Sequence, residues 1–234
     1  MTTESIEIKQ QRSLRSILIN PTAGPLVALL LAIVFFSFQS DRFLSGQNFS
    51  LIVQQSVVVG TLAIGQTIII LTAGIDLSNG MIMALSNVLM AGLFMTNGLP
   101  APVAIMAGFL VAALFGLANG LLITRLKLPP FIVTLGMFNI AFALTRIYTT
   151  TTVRLTESPW HVFLGRTISI GGEDGTKITY GSIVMFILYG IAWFVLTQTA
   201  VGRRIYAVGD DPEATRLSGI NVNRLLVGVY TMAG

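Results

Sequence analysis

The sequence contains no cysteine and a single histidine, His161, among its 234 residues. Disulfides, thiolate metal sites and histidine metal clusters are therefore excluded, and no metal site is predicted. The first sixteen residues are polar, without an early apolar region or a small-residue cleavage site, so they do not form a secretory signal peptide. No GxxxxGK[ST] motif occurs, so the chain has no phosphate-binding loop of its own for ATP.

Charge is scarce as well. Charged residues make up 10% of the chain and hydrophobic residues 53%, whereas a soluble domain carries about 25% charge. Long uncharged windows occupy residues 16–40, 43–75, 77–124, 128–145 and 178–202. A membrane-spanning helix needs roughly 20 apolar residues. The sequence therefore predicts an all-α, polytopic transmembrane bundle.

The predicted helices follow these windows. A cytoplasmic tail, 1–23, precedes a transmembrane domain, 24–234, with six full helices at 24–38, 51–73, 81–95, 103–124, 131–148 and 181–199, and a partial seventh at 225–234. These ten last residues would extend only about 15 Å as a helix, so the chain is expected to be truncated.

Lysine and arginine set the orientation, because cytoplasmic loops of membrane proteins are enriched in them. A cytoplasmic N-terminus places nine of the fourteen basic residues inside, and this excess favours the orientation with the N-terminus in the cytoplasm. Segment 149–180 is then extracytoplasmic and contains a short hairpin with predicted strands at 167–170 and 177–180. Segment 200–224 is then a cytoplasmic loop.

Two patterns within the helices concern packing and polarity. Small residues recur every fourth position in the fourth helix, which predicts a central, closely packed helix; they are Ala104, Gly108, Ala112, Gly116 and Gly120. Amides occur in four consecutive helices, and they either bond helices together or line a translocation path; they are Gln66, Asn87, Asn119 and Asn139.

The turn between the second and third helices contains Gly74, Asp76 and Ser78. Asp76 is predicted to cap the third helix, where its charge favours the helix dipole. The alternative is a gate element at the inner mouth of a path. No Asp, Glu, Lys or His lies at mid-helix, which argues against a proton-driven or sodium-driven carrier.

A two-turn helix is predicted at 212–218. Asp211 is a good N-cap, Pro212 suits the first helical position, Glu213 the first turn, and Gly219 the C-terminal cap. Such a short helix is not stable alone in water. It is either part of a solvated loop or a docking helix for a cytoplasmic subunit, with Glu213 and Arg216 on its polar side and Ala214 and Leu217 on its apolar side.

Four motifs resemble one family. The stretch EATxxxG at 213–219 looks like the coupling loop of ABC importer permeases, and LTAGIDLS at 71–78, LPPFIVTLG at 128–136 and GRRIYAVG at 202–209 resemble ribose-type monosaccharide permeases. The chain departs from the family's pattern at Asn79, at Thr215 and at Phe142-Ala143, and family members continue beyond its end.

The resemblance implies a non-enzymatic permease subunit of an ATP-driven importer in the bacterial inner membrane, for a monosaccharide such as ribose or fructose. Its implied partners are a cytoplasmic ABC ATPase, which would bind the ATP, a periplasmic sugar-binding protein, a second permease subunit and membrane lipid, but no nucleic acid and no cofactor of its own. The residues implied to couple to the ATPase are Arg203, Asp211, Pro212, Glu213, Ala214, Thr215, Arg216, Leu217 and Gly219. The alternatives are a secondary carrier or channel for a small polar solute, or a non-transporting membrane fragment.

Overall fold

The computed structural model describes residues 23–149, 163–170 and 176–234. These ranges are almost entirely helical, which confirms the all-α prediction. The elements, in chain order, are α1 Ala23–Gln39, α2 Gly46–Leu71, α3 Asn79–Met95, α4 Ala101–Arg125, α5 Pro130–Tyr148, a 3-10 turn Phe163–Gly165, β1 Thr167–Ile170, β2 Thr176–Thr179, α6 Tyr180–Gln198, α7 Ala200–Asp210, α8 Pro212–Leu217 and α9 Val222–Ala233.

Four helices, α2, α4, α5 and α6, are long and apolar enough to cross a membrane. The apolar helices α1 and α3 have 17 residues each. All six predicted helices are therefore present, although α2 begins five residues earlier than predicted. The chain is a multi-pass membrane protein by the number and apolarity of these helices.

The chain divides into two compact units. The smaller comprises Met1–Ile52 and Ser169–Lys177. Within it, the rings of Phe36 and Phe43 lie 5.7 Å apart, and the Ser50 hydroxyl oxygen accepts a hydrogen bond of 2.7 Å from the Lys177 backbone N–H. The predicted strands are confirmed as the pair β1 and β2, while 171–175 between them, like most of the 149–162 part of the predicted loop, lies outside the described residues.

The larger unit, Val53–Ile168 and Ile178–Gly234, is built around α4, which packs against α3, α5 and α9. The small residues of α4 lie at these contacts. A Cβ on Gly120 would lie 2.8 Å from the Val227 Cα, and one on Gly116 would overlap the Tyr230 carbonyl oxygen. A Cβ on Gly108 would overlap the Met90 side chain. The predicted central position of this helix is thus confirmed.

Apolar side chains cover most of the outer surface. Met106 and Ile147, for example, are 71% and 81% exposed. Surfaces this apolar are unfavourable in water but suit hydrocarbon. The buried clusters are small by comparison: Ile69, Ile205, Val229 and Tyr230 form one, and Ile82, Leu85, Ala112 and Ala141 form the other.

Residues 200–210, the first part of the predicted cytoplasmic loop 200–224, form the helix α7, which the sequence analysis did not predict. Thr199 caps it by accepting a hydrogen bond from the Gly202 N–H. Gly202, Ile205 and Val208 recur every third residue and are buried, while Arg203 and Arg204 are exposed. One buried stripe is enough to hold this helix against the bundle, even with two charges on its outer face.

Candidate functional site

The turn between α2 and α3 begins with a tight backbone cap. The N–H of Ala73 bonds to the carbonyl of Ile70, and the N–H of Gly74 to the carbonyl of Ile69. Ala73 itself has a φ of 56°, in the left-handed region that glycine usually occupies at this position. Gly74 is required for space, since a Cβ there would lie 2.6 Å from the Tyr230 hydroxyl.

Asp76 stabilises this turn but does not cap α3. Its Oδ1 accepts hydrogen bonds from the backbone N–H and the hydroxyl of Ser78, both at 2.6 Å. Ser78 holds the N-cap position, and it makes no side-chain cap bond. The predicted capping role of Asp76 is therefore wrong. The carboxylate stands two residues before the N-cap, so it closes a local turn onto Ser78 before it can reach the helix.

Side chains from four helices hold the same turn. The Asn119 amide of α4 donates to the Ser78 hydroxyl at 2.9 Å, and the Asn79 amide donates to Gln66 of α2 at 3.4 Å. Thr134 of α5 and Tyr230 of α9 donate to the Ile75 carbonyl at 3.4 and 3.5 Å. We call Gln66, Asp76, Ser78, Asn79 and Asn119 the inner polar cluster.

The structure separates the four predicted amides into two pairs. Gln66 and Asn119 belong to the inner polar cluster, where Asn119 has no exposed surface. Asn87 and Asn139 are exposed on α3 and α5, and the Asn139 amide donates to the Leu135 carbonyl of its own helix. Of the two predicted roles, interhelical bonding describes the first pair. A role in the translocation path stays a prediction for the four.

The short helix α8 confirms the prediction at 212–218 to within one residue. Asp211 Oδ1 accepts from the N–H groups of Glu213 and Ala214 at 2.8 and 2.9 Å, and Pro212 is the first helical residue. Gly219 has a φ of +86°. Its N–H bonds to Arg216, and the next N–H bonds to the Thr215 carbonyl, which completes a left-handed helix cap.

Thr215, which the prediction placed on neither side of α8, faces the protein itself. Thr215 is buried, and its hydroxyl donates to the Ala207 carbonyl of α7 at 2.9 Å. Thr215 therefore attaches α8 to the protein's own α7, and its implied coupling to the ATPase stays a prediction. Leu217 is 79% exposed and Ala214 is exposed. No other described part of the protein therefore covers the predicted apolar side of α8.

Glu213 and Arg216 form an ion pair of 2.7 Å on the exposed side of α8. Both side chains are more than two-thirds exposed, and an exposed pair of this kind contributes about 0–1 kcal/mol. The N-cap, the Thr215 hydrogen bond and the left-handed cap therefore position α8 more strongly than its charges do.

Helix α7 connects α8 to the inner turn, a link that the sequence reading missed. A Cβ on Gly209 would overlap the carbonyl oxygen of Leu71, the last residue of α2. Ile205 of α7 packs with Ile69 and Tyr230, and Tyr230 reaches the turn through Ile75. Helix α7 thus contacts both α8 and the residues that border the turn. The three-residue spacing of Gly202, Ile205 and Val208 is the pattern in the sequence that could have indicated a packed helix here.

Residues 48–234 match the model of a family described as the permease component of the branched-chain amino acid transport system. The chain belongs to this permease family. Among its relatives, the fructose import permease protein of Rhizobium meliloti is 43% identical over 92% of this chain and 61% of its own length. The ribose import permease protein of Bacillus subtilis (strain 168) is 35% identical, over 100% of this chain and 71% of its own length.

The galactose/methyl galactoside import permease protein of Escherichia coli (strain K12) is 30% identical, over 90% of this chain and 66% of its own length. These relatives confirm the resemblance to ribose-type sugar permeases. The chain thus spans between 61% and 71% of the length of the relatives named here. No solved structure matches it significantly.

Proposed function

We propose that this chain forms the translocation subunit of an ATP-driven importer for a monosaccharide. The observation that carries the proposal is its similarity to three permeases named for the import of fructose, ribose and galactose, each aligned over at least 90% of the chain. The highest of these identities, 43%, is to the fructose permease. Fructose is therefore the first sugar to test.

The composition of the described helices suits a neutral solute. Within the helices α2 to α6 themselves, charged side chains occur only near the helix ends, at Arg125 and Arg146. A sugar needs hydroxyl and amide groups rather than ions along its route, and the exposed amides of Asn87 and Asn139 are candidates for that role. A carrier driven by protons or sodium would instead be expected to hold ionisable groups within the membrane.

Energy would reach the permease through α8. The exposed side of α8, with Ala214 and Leu217, would enter a groove of a cytoplasmic ATPase. Movement of α8 would pass through the Thr215–Ala207 hydrogen bond to α7, and through Gly209 to the end of α2 and the inner turn. ATP binding to the partner would then bias two conformations of the permease that differ in stability.

The remaining features follow from this assignment. The N-terminus and α8 lie in the cytoplasm of a bacterium, and the protein spans its inner membrane. A sugar-binding protein approaches from the opposite side of the membrane, and a second permease subunit completes the path. The ATPase binds the nucleotide, and this chain needs no cofactor or catalytic residue.

Substitution of Gly219 tests the coupling helix. Gly219→Val places a β-branched residue at a φ of +86°, where a side chain is disfavoured, although its Cβ would meet no other atom within 4 Å. We expect normal abundance in the membrane, weaker recruitment of the ATPase in a pull-down, and loss of sugar uptake.

Gly98→Val is the matched control. Gly98 also has a positive φ, +66°, and open space around a Cβ, but it lies in the turn between α3 and α4. Its variant should recruit the ATPase normally. Equal recruitment and uptake in Gly219→Val and the unsubstituted protein would reject the coupling role of α8.

Uptake of labelled fructose, ribose and galactose tests the transport reaction itself. The chain is expressed with the ATPase and the binding protein of a monosaccharide importer in cells that lack their own transporters for these sugars. We expect uptake of fructose that requires an ATPase able to hydrolyse ATP. Uptake that persists with an inactive ATPase would identify a secondary carrier or channel instead.

A further inference from the structure

A cavity of about 360 Å³ lies where α7, α8 and α9 meet. Its volume is within the range of small-ligand sites, about 300–1,000 Å³. None of the residues predicted to act in transport or coupling lines it except Gly219. The lining residues are Arg204, Gly219, Ile220, Asn221, Arg224 and Leu225.

Two positive charges face this cavity without neutralisation. Arg204 and Arg224 are both exposed, and in the described part of the chain neither has an acidic partner within 4 Å. Of the three acids at or beside α8, Asp211 caps that helix, Glu213 pairs with Arg216, and Asp210 forms no ion pair with either arginine among the described residues. Two arginines beside one cavity favour an anion with several oxygens, such as a phosphate group.

An apolar stripe leads away from the cavity along α9. Leu225 lines the cavity, and Gly228 and Met232 follow it at spacings of three and four residues, which places them on one side of the helix. Met232 is 79% exposed, and a Cβ on Gly228 would meet nothing within 4 Å. Tyr230, on the opposite side of α9, is buried against the bundle, and so is Val229 at the edge of the stripe.

We propose that this cavity binds an anionic phospholipid, with the headgroup phosphate between Arg204 and Arg224 and one acyl chain along the Leu225–Gly228–Met232 stripe. Basic pockets at the cytoplasmic ends of membrane helices bind such headgroups, and a ligand with one charged and one apolar end matches both parts of the site. The inference rests on the cytoplasmic orientation of α8 in the proposed function, but not on sugar transport.

The test measures lipid binding to the purified full chain in detergent by native mass spectrometry. Phosphatidylglycerol and phosphatidylcholine are titrated separately against the unsubstituted protein and the variants Arg204→Gln, Arg224→Gln and Arg203→Gln. Arg203 is the matched control, because it is exposed on the same helix but does not line the cavity. Thermal unfolding of each variant checks that it is folded.

We expect phosphatidylglycerol to bind and phosphatidylcholine not to bind at the same concentration. Arg204→Gln and Arg224→Gln should each weaken phosphatidylglycerol binding about fivefold, the equivalent of about 1 kcal/mol for one arginine near an anionic lipid. Arg203→Gln should change it less than twofold, because a screened surface charge contributes little at a distance.

Three results would overturn the proposal. An equal loss of binding in Arg203→Gln would mean that general surface charge attracts the lipid. Full displacement of phosphatidylglycerol by inorganic phosphate would identify a site for a free anion. Absence of phosphatidylglycerol binding, with weaker ATPase recruitment in Arg204→Gln and Arg224→Gln, would assign the arginines to a protein contact. Lipid binding with the expected pattern but no sugar uptake would leave this proposal intact and reject the transport proposal.

Discussion

Asp76 holds the inner turn through one of its two carboxylate oxygens. Oδ1 accepts both hydrogen bonds from Ser78, while Oδ2 is buried and has no hydrogen-bond partner among the residues that the structure describes. The side chain is 4% exposed. The hydrogen-bonding geometry at Oδ1 therefore needs an acceptor at this position, and Asp76 forms no ion pair with any residue in the described ranges.

The variants Asp76→Asn and Asp76→Ala separate these two properties. Asparagine keeps an oxygen that can accept both bonds from Ser78, so we expect Asp76→Asn to unfold at nearly the same temperature as the unsubstituted protein. Alanine removes the acceptor, and we expect a loss of about 2 kcal/mol. Thermal unfolding in detergent measures both. Normal abundance of Asp76→Asn together with loss of uptake would show that the charge itself acts in gating.

Ala73 offers a second prediction at the residue scale. It is exposed and has a φ of 56°, a conformation that costs a residue with a side chain about 1–2 kcal/mol. Ala73→Gly should therefore raise the stability by about 1 kcal/mol. The control, Ala63→Gly, lies within α2 and should lower it by about the same amount. A lower unfolding temperature for Ala73→Gly would contradict the assignment of this helix cap.

At the scale of elements, α4 shows what a pattern of small residues can and cannot predict. The spacing predicted a helix in close contact with its neighbours, and the packing agrees. It did not predict which neighbours, because every small-residue stripe offers the same shallow groove. Gly108 faces α3, whereas Gly116 and Gly120 face α9, and only the positions of the surrounding helices distinguish them.

Gly116→Ala tests this contact. Its methyl group would overlap the Tyr230 carbonyl oxygen, so α4 and α9 must separate locally. We expect a loss of about 1–3 kcal/mol, which is typical of overpacking in a tight core, measured as a lower unfolding temperature in detergent. Gly136→Ala in α5 is the control, since its Cβ would meet nothing within 4 Å. Equal behaviour of the two variants would reject a close α4–α9 contact.

The sequence analysis did not predict helix α7, and there is a physical reason for this. Its eleven residues include two glycines and two adjacent arginines, and both features are typical of loops. The glycines are required by close packing instead: a Cβ on Gly202 would overlap the Leu196 carbonyl oxygen, and one on Gly209 the Leu71 carbonyl oxygen. The second contact joins residues far apart in the chain, so local sequence preferences do not reveal it.

At the scale of the whole molecule, the distribution of charge sets the membrane orientation. A cytoplasmic N-terminus would place nine of the fourteen basic residues on the cytoplasmic side, and apolar side chains cover most of the surface of the described helices. The positive-inside rule then predicts that Asp210 faces the cytoplasm and that Gly175, which is outside the described residues, faces the other side.

Single cysteines test this orientation directly, because the chain has no cysteine of its own. In intact cells, an impermeant thiol reagent should label Gly175→Cys and should label Asp210→Cys only after the membrane is permeabilised. Labelling of Asp210→Cys but not of Gly175→Cys in intact cells would reverse the predicted topology.

The sequence by itself determined the number and approximate bounds of the apolar helices, the two strands, and α8 with both of its caps. These features depend on local properties: uncharged length, alternation, and the preferences of Asp211, Pro212 and Gly219. Only the tertiary structure decided that Thr215 faces α7 and that Asn119 is buried while Asn87 is exposed. Each of these depends on which surface a neighbouring helix covers. Because the helices have similar apolar faces, only the packing of the whole chain determines which face is covered.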